Sequence, residues 1–323
     1  MTPLDIFLNR QHRLRSGWRL AIFCAVYSAA IAAAFTTIYA ILFLLRISEA
    51  EARLTGTLGY ILQSLVFFTT ALVVGWGCGR LFEDLPLRAL GWTRHRGWLR
   101  DLLWGTLLGV ASLFVAVLIA TVFRGYKFSV APTISSVAFV KTFFGAAVIF
   151  ILAAAAEEML FRGYPLQTMM RALPFLAAVV PSSVIFAYVH LENPNVSWGF
   201  TFLNTTLAGF WLAVAYLRTR SLWFPLGLHW AWNWAMAALL GLPVSGITSL
   251  GRAPLFPTTD TGPAWLTGGA YGIEGGAACT IALIVSTIFI WKTRLLKADE
   301  ELKKFTDEEI PKNSDNKTVT SDE

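Results

Sequence analysis

The chain has 323 residues, 56% of them hydrophobic and 14% charged, with a formal net charge of +6 and a mean hydropathy of +0.59. Soluble domains carry roughly a quarter charged residues, so an ordinary soluble fold is excluded, together with collagen-like, disordered and disulfide-scaffold classes. The three cysteines, Cys24, Cys78 and Cys279, lie far apart inside apolar runs and imply no disulfide framework. A polytopic membrane protein remains.

A spanning helix needs about twenty mostly apolar residues. Such runs predict eight helices, near 18–45, 57–78, 102–123, 137–160, 174–190, 200–217, 222–242 and 277–291. A lone strand in lipid would leave its backbone unsatisfied, and no alternating ten-residue barrel segments occur. The fold class is therefore all-α, a polytopic bundle of about eight transmembrane helices. The first run is too long for a signal-peptide core and belongs with the bundle. In the third, Gly105 and Gly109 let another helix approach closely, a pattern that reads as packing within the chain rather than a dimer seam. No internal repeat is visible, which argues against transporter folds built from duplicated halves.

Alternate spans place 20 Lys and Arg on one side and 6 on the other. By the positive-inside rule both termini are expected in the cytoplasm, with the chain integral to a bacterial inner (plasma) membrane. The basic segments beside the spans suit membrane lipids with anionic headgroups, not nucleic acid. Four regions follow: N-terminal transmembrane helices over 1–136, a membrane domain over 137–242, an extracytoplasmic loop and last helix over 243–296, and a charged tail over 297–323. The loop segment 243–276 holds 8 Gly and 4 Pro. The tail carries 5 Lys and 9 acidic residues and is expected to be disordered.

Ionisable groups at membrane depth are costly and mark function. By this reading Glu157 and Glu158 are the acids at depth, and His190 and His229 the histidines; His12 and His95 lie in basic cytoplasmic stretches. They fall in three patterns: Glu157-Glu158 with Arg162, Phe186 with His190, and His229 with Asn233. Residues four apart share a helix face. Glu158 and Arg162 are thus expected to neutralise each other, leaving Glu157 about 100° around the helix as the unpaired carboxylate. Phe186 is expected beside the His190 ring, and His229 and Asn233 should project together.

EExxxR, FxxxH and HxxxN in this order, each on its own helix, resemble the CPBP family of intramembrane proteases. That family comprises the type II CAAX prenyl endopeptidases and the bacteriocin-processing and self-immunity proteins. The run Glu157-Glu158-Met159-Leu160-Phe161-Arg162-Gly163 is similar to the family's first motif, and the resemblance covers about residues 140–240. It implies a membrane-embedded endopeptidase acting on a peptide or protein substrate, lipidated and CAAX-like or a leader peptide. Glu157 would then act as general base on a water held by His190, with His229 and Asn233 donating to the oxyanion and Arg162 keeping Glu158 ionised. Two cofactor readings stand: a zinc ion on Glu157, His190 and His229, or a metal-free glutamate mechanism, favoured because no HExxH is present. A non-catalytic immunity or scaffold protein is the first alternative, a proton-coupled transporter the second.

Depth poses a problem for this constellation. Straight-helix counting puts Glu157 and His229 toward the cytoplasmic side and His190 toward the outer face. The expected resolution is a fifth span starting late, at Pro181, with 163–180 as an amphipathic or re-entrant connection.

Overall fold

The computed structural model describes residues 4–9, 12–47, 56–129 and 136–307. The helices that matter are α1 Ser16–Leu44, α2 Thr57–Glu83, α3 Trp98–Val122, α4 Ser136–Arg162, α5 Tyr164–Met170, α6 Phe175–His190, α7 Trp198–Thr219, α8 Trp223–Trp234, α9 Ala277–Lys292 and α10 Glu300–Asp307. Each of the eight apolar runs coincides with a helix, α8 continuing as a π-helical turn over Ala235–Leu240. Five are long and apolar enough to cross a membrane: α1, α2, α3, α7, and α4 taken together with α5. The helices α6 and α9 are apolar but only 16 residues long. A bundle of membrane helices is thus the architecture.

The most extensive packing joins α8 to α3, followed by α2 to α4, α6 to α7 and α9 to α7. One buried cluster fills the centre with Leu113, Trp211, Phe224, Leu228, Trp232 and Leu283; a second gathers Phe23, Met159, Tyr164, Leu166 and Tyr216. Gly105 and Gly109 account for the closeness of α3 and α8. A β-carbon at Gly105 would strike the Phe224 carbonyl oxygen, and one at Gly109 the Leu228 carbonyl oxygen; Gly227 faces the Leu102 carbonyl in return. The two backbones touch, so the glycine pair is spent within the chain. Gly109→Leu is expected to cost at least about 3 kcal/mol in detergent denaturation, because backbone yields less than side chains to overpacking. The same change at Gly145, which has open space around its Cα, should leave the midpoint unchanged.

Pro181 lies inside α6, not at its start, and Tyr164–Met170 is helical. The expected late start at Pro181 is therefore overturned: 163–180 consists of the short helix α5, a turn and the first part of α6 rather than a separate amphipathic or re-entrant connection before a helix at Pro181. Instead α5 extends the apolar span of α4 to Met170 after a break at Gly163. From Glu157 to Met170 is about 20 Å of helix, and from Phe175 back out to His190 about 22 Å, at 1.5 Å per residue. The depth mismatch disappears because the turn lies farther from Glu157 than the end of α4 suggests.

Two further segments are more ordered than their composition indicates. The segment after the π-helical turn carries β2 (Thr258–Asp260), which pairs antiparallel with β1 (Tyr126–Phe128), Tyr126 opposite Asp260 and Phe128 opposite Thr258. Leu266, Tyr271 and Ile273 of this segment are buried. The Tyr126 hydroxyl donates to the Thr267 carbonyl at 3.1 Å, and burial raises its phenol above the ordinary value. Within the charged tail, α10 is helical and docked. Arg171 Nη1 donates to the Phe305 carbonyl at 3.0 Å, Arg220 Nη1 donates to Thr306 Oγ1 at 3.2 Å, and Arg88 pairs with Glu301 at 2.7 Å. Residues 308–323 lie outside the described residues.

Candidate active site

Three helices supply the site: α4 brings Glu157, Glu158 and Arg162, α6 brings His190, and α8 brings His229 and Asn233. Small residues precede the acids, Ala153 to Ala156, and Ala154 and Ala156 are buried; stripes of this kind let helices approach without side chains between them. Behind the acids, a β-carbon at Gly209 would stand 2.9 Å from Ser183 Cα, so α6 and α7 are in backbone contact there. The Gly209 carbonyl is left to accept from Arg162 Nη2 at 3.1 Å.

Glu158 and Arg162 are 0% and 1% exposed. Glu158 Oε1 accepts from Arg162 Nη1 at 3.2 Å and from His229 Nδ1 at 2.9 Å. The guanidinium also stacks over the Phe186 ring, 4.6 Å from its centroid, a cation–π contact strengthened by desolvation. The expected pairing across one helix turn is present, and it reaches on to His229. A carboxylate accepts only, so His229 Nδ1 carries the proton in this contact.

Phe186 packs on the His190 ring as the spacing predicted, with centroids 4.4 Å apart. Its carbonyl oxygen lies 2.7 Å from His190 Nδ1, which fixes the proton there by the same logic. Each imidazole therefore turns Nε2 inward. His190 Nε2 is 3.7 Å and His229 Nε2 3.8 Å from Glu157 Oε2. Both gaps exceed a hydrogen bond and suit one bridging water. Glu157 Oε2 is buried and, among the described residues, has no hydrogen-bond partner, although the side chain as a whole is 33% exposed.

These groups open into a cavity of about 1010 Å³. Asn233 stands on its wall one turn beyond His229, and Tyr60, Gln63 and Ser64 of α2 face in. The zinc set expected from the sequence is Glu157, His190 and His229; as these side chains stand, among the described residues no group of three or more His, Cys, Asp or Glu is placed to hold a metal ion.

Sequence reasoning missed Glu274, Trp232, Ser245 and Asn204, which share the cavity wall. Glu274 reads as one more loop acid because it precedes the last apolar run. Its place in a glycine-rich stretch directly before that run was the available signal.

Residues 139–235 match the model of a protein family described as Rce1-like, type II CAAX prenyl endopeptidase. The match spans under a third of the chain and contains every residue of the three motifs. The chain thus carries a CPBP-family domain, of the CAAX-type intramembrane protease class, and is an integral membrane protein. No curated protein and no solved structure matches the chain.

Proposed function

We propose that the chain hydrolyses a peptide bond in a membrane-associated substrate, a lipidated CAAX-like peptide or a leader peptide, without a metal ion. The observation that carries this reading is the buried, unbonded Glu157 Oε2 between two imidazole Nε2 atoms at 3.7 and 3.8 Å. A water placed there donates one proton to Glu157 and the other to His190 Nε2, which leaves a lone pair free for the carbonyl carbon. As the C–O bond forms, Glu157 takes the first proton. His229, flanked by Glu157 and Glu158, holds a second proton on Nε2 and with Asn233 donates to the oxyanion, a contribution of a few kcal/mol. Collapse breaks the C–N bond, and Glu157 passes its proton to the leaving amine. The Arg162–Glu158 pair keeps His229 oriented throughout. The Lys and Arg distribution supports cytoplasmic termini.

The test is turnover by purified protein in liposomes, using a fluorogenic lipidated peptide library, with a zinc chelator and with His190→Ala. Turnover is expected to survive the chelator and to fall about 100-fold in the variant. Loss with chelator that zinc restores would overturn the metal-free mechanism. Absence of turnover from every peptide would overturn the protease reading.

A further inference from the structure

Resting on that reading, the cavity holds a second built feature that the hydrolytic step does not use. Glu274 lies just before α9 and lines the same cavity as Glu157 and His229. Its Oε1 accepts from Trp232 Nε1 at 3.1 Å; its Oε2 accepts from the Ser245 backbone N–H at 2.7 Å and from Ser245 Oγ at 2.9 Å. A carboxylate has about four acceptor positions, so one remains open. The three donors are neutral. They fix the carboxylate without cancelling its charge, and among the described residues no Lys or Arg stands on the cavity wall.

Holding the loop does not require that charge. Asn204 Nδ2 already donates to the Glu274 and Gly276 carbonyls at 2.8 and 2.9 Å, and Thr280 Oγ1 donates to Asn204 Oδ1 at 2.6 Å. Trp232 and Ser245 need acceptor oxygens on both sides of the side chain, which glutamine cannot offer at once, but neither supplies the counter-charge that a carboxylate held away from bulk water lacks. Trp232 follows His229 by three residues on α8, about 4.5 Å along the helix axis. A group bound at Glu274 would therefore lie within a few residues of the scissile bond of an extended peptide.

We propose that Glu274, fixed by Trp232 and Ser245, is a specificity-determining residue that binds a lysine or arginine side chain of the substrate peptide. The charge of the ammonium or guanidinium group completes the ion pair that the protein itself leaves open.

The test uses N-acetylated, palmitoylated twelve-residue peptides with one lysine stepped through the sequence. Each is matched by the same peptide bearing Nε-acetyl-lysine, which keeps the length and removes the charge. Binding is measured in zwitterionic detergent with the full chain carrying Glu157→Gln, and hydrolysis with the unaltered chain. At one lysine position the charged peptide is expected to bind about 10-fold tighter than its acetylated match, and Glu274→Gln should abolish that difference. Glu192→Gln, at another wall carboxylate, should retain it. Equal binding of every pair, or loss of the preference in Glu192→Gln but not in Glu274→Gln, overturns the proposal. A preference in binding with no hydrolysis of any peptide would keep the subsite and overturn the protease reading. Should Glu274→Gln fail to fold, a photo-crosslinking diazirine beside the preferred lysine decides: capture at Trp232, Ser245 or Glu274 supports the subsite, and capture elsewhere overturns it.

Discussion

Replacing Glu157 by glutamine is expected to lower kcat about 1000-fold, within the range by which a positioned general base contributes, while KM and thermal stability stay at their original values. The separation follows from the geometry. Glu157 Oε2 has no hydrogen-bond partner among the described residues, so an amide of the same shape removes no bond that holds the bundle together. What it removes, on the proposed mechanism, is the group that accepts the proton from water. Steady-state turnover of a fluorogenic lipidated peptide and a detergent melting curve on the same preparation check both halves. Unchanged kcat would exclude Glu157 as the base; a parallel loss of stability would make it a structural residue.

Replacing Arg162 by methionine should act in the opposite way, first on the fold. Glu158 would keep its charge in a fully buried position with only His229 beside it, and breaking one partner of a buried pair costs about 3–5 kcal/mol. The double change Glu158→Gln with Arg162→Met removes both charges and is expected to recover most of that stability, since neighbouring sites are not additive. Activity should not return, because His229 Nδ1 then lacks the carboxylate that orients it. Denaturation midpoints for the two variants give the comparison. Equal destabilisation would mean that stacking of the guanidinium on Phe186, rather than the ion pair, is what the bundle needs.

The positions of the membrane helices were legible in the sequence because a twenty-residue apolar run is too long for a core strand and too greasy for a surface helix. The candidate site was legible for a related reason: in a chain this poor in charge, carboxylates and imidazoles inside apolar runs stand out. Depth was not. Whether α4 stops at Arg162 or is carried on by α5 depends on what the chain does at Gly163, and local composition does not encode that direction. The helix α10 was hidden because its order comes from Arg88, Arg171 and Arg220, far away in sequence. Glu274 was hidden because a loop that folds back into a cavity looks like any other loop. The partner of Gly105 and Gly109 was equally unreadable, since a small-residue pair announces a close approach but not which helix makes it.

The shortness of α6 and α9 has a consequence for the surrounding lipid. Sixteen residues of helix are about 24 Å long, whereas a bilayer's hydrocarbon layer is about 30 Å thick. Both pack against α7, so the shortfall of about 6 Å is concentrated around one helix of the bundle. Thinning of the bilayer to match costs a fraction of a kcal/mol per Å. His190 closes α6 and is followed by Glu192 and Asn193, so the imidazole sits where this shortened apolar belt stops. On the proposed mechanism, water approaching His190 crosses less hydrocarbon than it would beside a full-length helix, which would make bilayer thickness a determinant of how readily that water is replaced.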